Sequence, residues 1–156
     1  ESYGLYACTG ILFNHESPLR PERFVTQKII AGAAKIKAGQ LDKLQLGNLD
    51  ISRDWGWAPE YVEAMWLMMQ LDQPDDFVIA TGRKESLKYF VAKSFEYFDL
   101  DWQKYVEIEP SFFRPNEIVS SVGNPEKALK TLGWSKPTDI DGVIKMMCAE
   151  QDKKLH

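Results

Sequence analysis

Three short stretches carry residues suited to holding a doubly charged anion: Asn14-His15-Glu16-Ser17-Pro18, Arg53-Asp54-Trp55-Gly56 and Phe112-Phe113-Arg114-Pro115-Asn116-Glu117. Arg53, Arg114 and Asn14 each stand at the edge of a predicted strand or helix, where they can converge on one ligand. Arginine's planar fork suits phosphate oxygens bidentately, and its charge persists at every relevant pH. Glu117, three residues after Arg114, is a natural acceptor for a pair of sugar hydroxyls. The combination suggests a site for a nucleotide-sugar diphosphate. Each residue also has a plainer reading. Asn14 serves as a turn residue, His15 as a polar loop residue and Arg20 as a solvated charge where a helix begins. Val25 is ordinary helix packing and Lys28 a solvated helix lysine. Arg53 and Arg114 sit in surface ion pairs, and Glu117 is a helix-start charge.

The elements that must position these residues follow from periodicity. Leu5 to Phe13 is a nearly continuous apolar run, the pattern of a strand buried on both faces in a parallel sheet. Residues just after such a strand sit where open α/β sheets bind ligands. Pro21 and Glu22 open a helix over about 23–37, stopped by Gly39. Lys28 lies one turn from Val25 on it. Leu44 and Leu46 alternate with polar neighbours as a short strand ending at Gly47, and Gly47 and Asn48 could let backbone approach a base. Pro59 fits the first turn of a helix to about Leu71, with Tyr61, Val62, Met65, Trp66 and Met69 as its core stripe. Phe77–Ala80 reads as a second buried strand, 85–98 as a helix and 105–108 as a strand. Asn124-Pro125-Glu126 caps a short helix, and Thr138 or Asp139 caps the last. Two doubly buried strands do not complete a parallel sheet, so the pattern predicts the carboxyl-terminal part of a larger α/β protein.

At 156 residues the chain is long enough to bury a core, and its 44% hydrophobic and 27% charged content is that of a globular domain. A net charge of −4 gives no footprint for nucleic acid. No apolar run approaches the roughly 20 residues that span a bilayer, so no membrane partner is expected. No leader is visible, and Glu1 reads as an internal start. Cys8 and Cys148 read as buried free thiols, which fits a cytoplasmic setting. Two histidines, His15 and His156, cannot build a histidine-based metal cluster.

At these residues the chain resembles the carboxyl-terminal half of the GDP-mannose 4,6-dehydratases, nucleotide-sugar enzymes of the extended short-chain dehydrogenase/reductase group. The resemblance rests on 3–8, Ile11 to Pro18, Phe24-Val25-Thr26, Leu46 to Asp50, Arg53 to Gly56, Tyr61 to Trp66, Asp76 to Gly82, Phe113 to Glu117 and Leu132-Gly133-Trp134. It implies the last strands of a Rossmann-type parallel sheet, from residues near 3–14 and 76–82, joined to a small mixed α/β substrate-binding domain. It also implies conversion of GDP-mannose to GDP-4-keto-6-deoxymannose and water through transient reduction of NADP. In that frame His15 and Arg20 meet the cofactor. Asn14, Val25, Lys28, Gly47, Asn48, Arg53, Arg114 and Glu117 meet the GDP-sugar. The catalytic tyrosine and lysine and the glycine-rich cofactor loop belong to an amino-terminal half that these 156 residues lack, and the family implies a homo-oligomer, dimer or tetramer. Leu19-Arg20-Pro21 replaces the family's usual Arg-Arg-Gly, Gln27 a basic residue and Trp57 a histidine.

Two other readings share these residues: a related nucleotide-sugar epimerase or reductase, and a non-catalytic binding module. Tyr89 and Lys93 have the Tyr-x-x-x-Lys spacing that lets a lysine lower a tyrosine's pKa. They lie on a later helix, where the family has no catalytic role, so Tyr89 is expected to pack and Lys93 to be solvated.

Overall fold

Short strands and helices alternate along the computed structural model, which describes residues 3–135 and 137–154. His156 lies outside them. The order is β1 (Gly10–Leu12), β2 (Asn14–Glu16), α1 (Val25–Lys37), β3 (Leu44–Leu46), β4 (Ser52–Arg53), β5 (Trp55–Trp57), α2 (Ala58–Met68), β6 (Phe77–Ile79), β7 (Glu85–Ser86), α3 (Leu87–Tyr97), α4 (Trp102–Tyr105), β8 (Val106–Ile108), α5 (Glu126–Leu132) and α6 (Ile140–Asp152). A 3-10 turn, Pro110–Phe112, precedes Arg114. β1 pairs with β6, β2 with β5 and β3 with β8, all parallel, whereas β4 runs antiparallel to β7.

Two apolar clusters hold these pieces. In the larger, α1, α3 and α6 meet through Ile29, Ile30, Phe90, Val91, Val143 and Met147. In the smaller, Tyr61 and Met68 of α2 pack with Phe77, Ile79, Leu132 and Trp134. Several helix ends match the sequence signals, although α1 begins at Val25, after Pro21 and Glu22, and α2 ends at Met68 rather than near Leu71. Asp139 caps α6 by accepting from the Gly142 N–H, Ser86 caps α3 by accepting from Tyr89, and Gly39 ends the α1 turn at φ 68°.

Several expected features differ. The strand expected over 5–13 is reduced to Gly10–Leu12, and Tyr3, Leu5 and Ile11 are exposed. β1 pairs on one edge only, with β6, and no second strand among the described residues pairs with its other edge. Asn14, His15 and Glu16 form a strand of their own rather than a turn, because β5 offers them a parallel partner. Arg53 likewise lies on a strand, not in a loop. Of the stripe expected for the second helix, Tyr61 is buried and the other four residues face outward. Tyr61, Ala64 and Met68 are buried, whereas Val62 and Trp66 are each 62% exposed and Met65 and Met69 also face outward. Periodicity located an apolar face but could not say that the helix has two, only one of them covered here. Cys148 is buried as expected, and burial pushes its thiol up to about 12; Cys8 is only half-buried.

The β4–β5 corner is tied to the rest of the fold by Asp54, which is fully buried. One carboxylate oxygen accepts from the Thr81 N–H (2.9 Å) and hydroxyl (2.7 Å). The other accepts from the N–H groups of Gly82 (3.0 Å) and Gly123 (3.3 Å). Among the described residues no cation pairs with it, so backbone and hydroxyl dipoles alone offset its desolvation. Two glycines permit the close packing around it. A Cβ on Gly56 would stand 2.3 Å from the Tyr61 ring, and one on Gly123 would stand 2.4 Å from the Ala80 Cβ. Asp54→Asn presents an amide nitrogen to backbone donors. It is expected to cost about 2–3 kcal/mol, the scale for losing bonds to a charged acceptor. Urea unfolding of the two proteins measures the difference, and a change below about 0.5 kcal/mol, the range of ordinary surface substitutions, contradicts this account of the corner.

Candidate functional site

A cleft of about 500 Å³ opens between the start of α1, the end of β3, the β4–β5 corner and the 112–117 segment. Asn14, Arg20, Val25, Lys28, Gly47, Asn48, Arg53, Arg114 and Glu117 all line it. Nine of the ten residues singled out from the sequence are thus brought together across a hundred positions of chain. The exception is His15. Its ring lies against Tyr61, centroids 4.8 Å apart, and its Nδ1 is 2.8 Å from the Phe13 carbonyl oxygen.

The cleft gathers five cationic side chains, from Arg20, Arg23, Lys28, Arg53 and Arg114, against two carboxylates, from Glu16 and Glu117. A chain that carries −4 overall therefore concentrates positive charge here. Each carboxylate holds one arginine. Arg53 donates from Nη2 to Glu117 (3.3 Å) and from Nη1 to the Ser52 carbonyl (2.9 Å), with both charged side chains mostly buried. Lys28 donates to the Gln45 carbonyl (2.7 Å) and lies over the Phe112 ring, 4.8 Å from its centroid. A Cβ on Gly47 would meet the Phe112 carbonyl oxygen at 3.2 Å, so β3 and the 3-10 turn approach closely where Lys28 spans them.

Arg23 also lines the cleft, with no motif to announce it, as do Glu16, Phe24, Thr26, Trp55 and Phe112, which the sequence presents within motifs but without individual ligand roles. The guanidinium carbons of Arg20 and Arg23 stand 4.0 Å and 5.1 Å from the Phe24 ring centroid. Their three-residue spacing just ahead of an aromatic is the available signal. Gln27 is buried rather than facing the cleft.

Glu16 is the most buried charge of the site, 1% exposed at the end of β2. It accepts from the Thr26 hydroxyl on the first turn of α1 (2.8 Å). The Arg20 Nε stands 3.2 Å from the same oxygen, too oblique for a hydrogen bond and so an ion pair. Burial pushes the Glu16 carboxyl up from an ordinary 4.5 to about 6, against the downward pull of Arg20 and Thr26.

The Tyr89–Lys93 pair lies outside this cleft. The Tyr89 hydroxyl donates to Asp141 (2.8 Å), and that bond holds its pKa above the usual tyrosine value, the opposite of what a general base needs. Lys93 pairs with Glu96 at 2.8 Å. Among the described residues no cluster of three or more His, Cys, Asp or Glu side chains could hold a metal, and no helix is long and apolar enough to cross a membrane.

The raised Glu16 carboxyl has a consequence for stability. The folded state keeps this proton to about pH 6, while the unfolded chain releases it near 4.5. Raising the pH through that window therefore favours unfolding, by up to about 2 kcal/mol. Urea denaturation at steps across the window is expected to show this decline in the wild type and its loss in Glu16→Gln.

The sequence pattern described as GDP-mannose 4,6 dehydratase matches residues 1–147. GDP-mannose 4,6 dehydratase 1 of Arabidopsis thaliana is 51% identical over 150 residues, covering 96% of this chain and 42% of that protein. GDP-mannose 4,6-dehydratase of Vibrio cholerae is 42% identical over 177 residues, covering 96% and 46%. The chain thus spans less than half the length of these relatives. Among solved structures, RMD from Pseudomonas aeruginosa with NADPH superposes at a TM-score of 0.84 and 17% identity, covering 97% of this chain and 50% of that one. UDP-glucose 4-epimerase of Thermotoga maritima with UDP-glucose gives 0.79 and 20%, covering 99% and 48%. These structural likenesses carry the fold, the last strands of a Rossmann-type parallel sheet with a small mixed α/β domain. With a matching pattern over nearly its whole length and relatives up to 51% identical, the chain belongs to the GDP-mannose 4,6 dehydratase family.

Proposed function

We propose that this chain is the GDP-sugar-binding portion of a GDP-mannose 4,6-dehydratase, which converts GDP-mannose to GDP-4-keto-6-deoxymannose and water. The observation that carries the reading is the convergence of Arg53, Arg114 and Lys28 on one cleft, where positive charge exceeds negative in an acidic chain. Arg53 and Arg114 neutralise the two phosphates, and Glu117 accepts the ribose hydroxyls while orienting Arg53. Asn14 bonds the diphosphate–sugar region. Val25 lines the nucleotide, and Gly47 and Asn48 let backbone reach the guanine. Binding energy spent on the GDP moiety, remote from the reacting carbons, fixes the hexose for reaction. NADP, when bound, supplies the acceptor and donor of hydride. The cationic pair Arg20 and Arg23 beside Phe24 fits a cofactor phosphate. His15, whose ring lies against Tyr61, meets the cofactor from outside this cleft in the same reading.

The partner that completes the enzyme is an amino-terminal cofactor-binding half carrying the catalytic tyrosine and lysine. Residues near 3–14 and 76–82 belong to its sheet in this reading. The unpaired edge of β1, with Ile11 54% exposed, and the outward Val62, Met65, Trp66 and Met69 of α2 are the surface such a half would cover. A homo-oligomer, dimer or tetramer, in the cytoplasm belongs to the same proposal. A related epimerase or reductase is the competing reading; relatives at 41–51% identity that are named GDP-mannose 4,6-dehydratase favour the first.

Replacing Arg53 or Arg114 by Ala is expected to weaken GDP-mannose binding to the chain by about 1.5–3 kcal/mol, read by calorimetry. Unchanged affinity in both variants rejects the assignment. The purified chain is expected to show no turnover of GDP-mannose with NADP. Product formation that disappears in Tyr89→Phe would instead locate chemistry at the α3 pair.

A further inference from the structure

Of the two carboxylates in the cleft, Glu117 has a ligand role in the reading above, whereas Glu16 has none. A buried ionised carboxylate costs stability unless something repays its desolvation, and a neutral residue of the same shape would serve packing as well. What Glu16 holds is Arg20. The guanidinium is held on three sides: Nε stands 3.2 Å from Glu16, Nη1 donates to the His15 carbonyl at 3.2 Å, and its carbon lies over the Phe24 ring, 4.0 Å from the centroid. Among the described residues no hydrogen bond engages Nη2, and Arg20 lines the cleft. The Thr26 hydroxyl anchors the same carboxylate to α1, so strand, loop and helix meet at one buried oxygen.

We propose that Glu16 is a positioning residue for anion recognition, holding Arg20 so that its free edge faces a phosphate in the cleft. This rests on the anion-binding reading of the cleft. The positioning role predicts a sign opposite to simple electrostatics. Removing a negative charge from an anion site should tighten binding; removing a positioning carboxylate should weaken it. The proposal also implies a pH window. Below about 6 the protonated carboxyl no longer pairs with Arg20, and the arginine's contribution fades. The groups that face Glu16 are Arg20 from the loop and Thr26 from α1, with His15 beside it on β2.

The test uses the purified chain and inorganic pyrophosphate as probe, at low ionic strength, followed by NMR titration. Glu16→Gln is expected to bind about tenfold more weakly than wild type, the loss of one charge-assisted contact. Arg20→Ala should show a similar loss, and the double variant should bind no more weakly than Arg20→Ala alone. Equal or tighter binding by Glu16→Gln, or additive losses, overturns the proposal. Should Glu16→Gln fail to fold, the wild type and Arg20→Ala are compared from about pH 7.5 to about pH 5. The ratio of their affinities must fall toward one, because protonation of the probe is common to both. A constant ratio overturns the proposal. Pyrophosphate binding that is weakened by Arg53→Ala but not by Glu16→Gln rejects the Glu16 role and leaves the cleft reading standing. No binding by the wild type rejects both.

Discussion

The architecture of the cleft depends on a buried carboxylate that, among the described residues, meets N–H and O–H dipoles and no cation. Asp54 is buried at the turn between β4 and β5, and four donors from two other segments converge on it. One segment continues β6, and the other leads back to Glu117 and Arg114. A carboxylate satisfied wholly by N–H and O–H groups specifies where those groups must be, because any displacement leaves a buried charge or a buried donor unpaired. Arg53, the preceding residue, inherits that precision. It points into the cleft from a strand whose position Asp54 determines, and Glu117 meets it from a segment tied to the same carboxylate through Gly123.

Charge within the cleft follows a second constraint. Five cations in one concavity repel one another, and long side chains do not converge without cost. The structure answers by giving most of them a local partner. Arg53 has Glu117 and Ser52; Arg20 has Glu16, His15 and Phe24; Lys28 has the Gln45 carbonyl and the Phe112 ring. Positive charge is thereby held in place before a ligand arrives, which lowers the ordering cost of binding. The carboxylates reduce the field but orient the guanidinium groups.

The apolar side chains outside the two clusters tell of a different surface. Trp66, Val62, Met65 and Met69 share one side of α2, while Tyr61, Ala64 and Met68 occupy the other. A helix with two apolar faces is built to lie between two layers. Here one layer is the β6–α5 cluster. The other face is open among the described residues, and in the proposed reading an amino-terminal half covers it.

Local signals in the sequence were sufficient for the elements with internal periodicity. α1, α3, α5 and α6 and the strands at 44–46, 77–79 and 106–108 stand where caps, prolines and alternation placed them, within two residues. Residue type was also sufficient to nominate the arginines, since few side chains suit phosphate as a guanidinium does. Tertiary structure alone decided the rest. β4, β5 and β7 are two or three residues long and exist only because distant partners pair with them, so no local pattern announces them. Which face of α2 is covered depends on what packs against it, a fact absent from its own periodicity. Glu16 and Arg23 entered the cleft unannounced because burial and convergence are properties of space, not of spacing along the chain. His15, equally prominent in the sequence, stands against Tyr61 outside the lining of that cleft, since alternation along β2 turns neighbouring side chains to opposite sides.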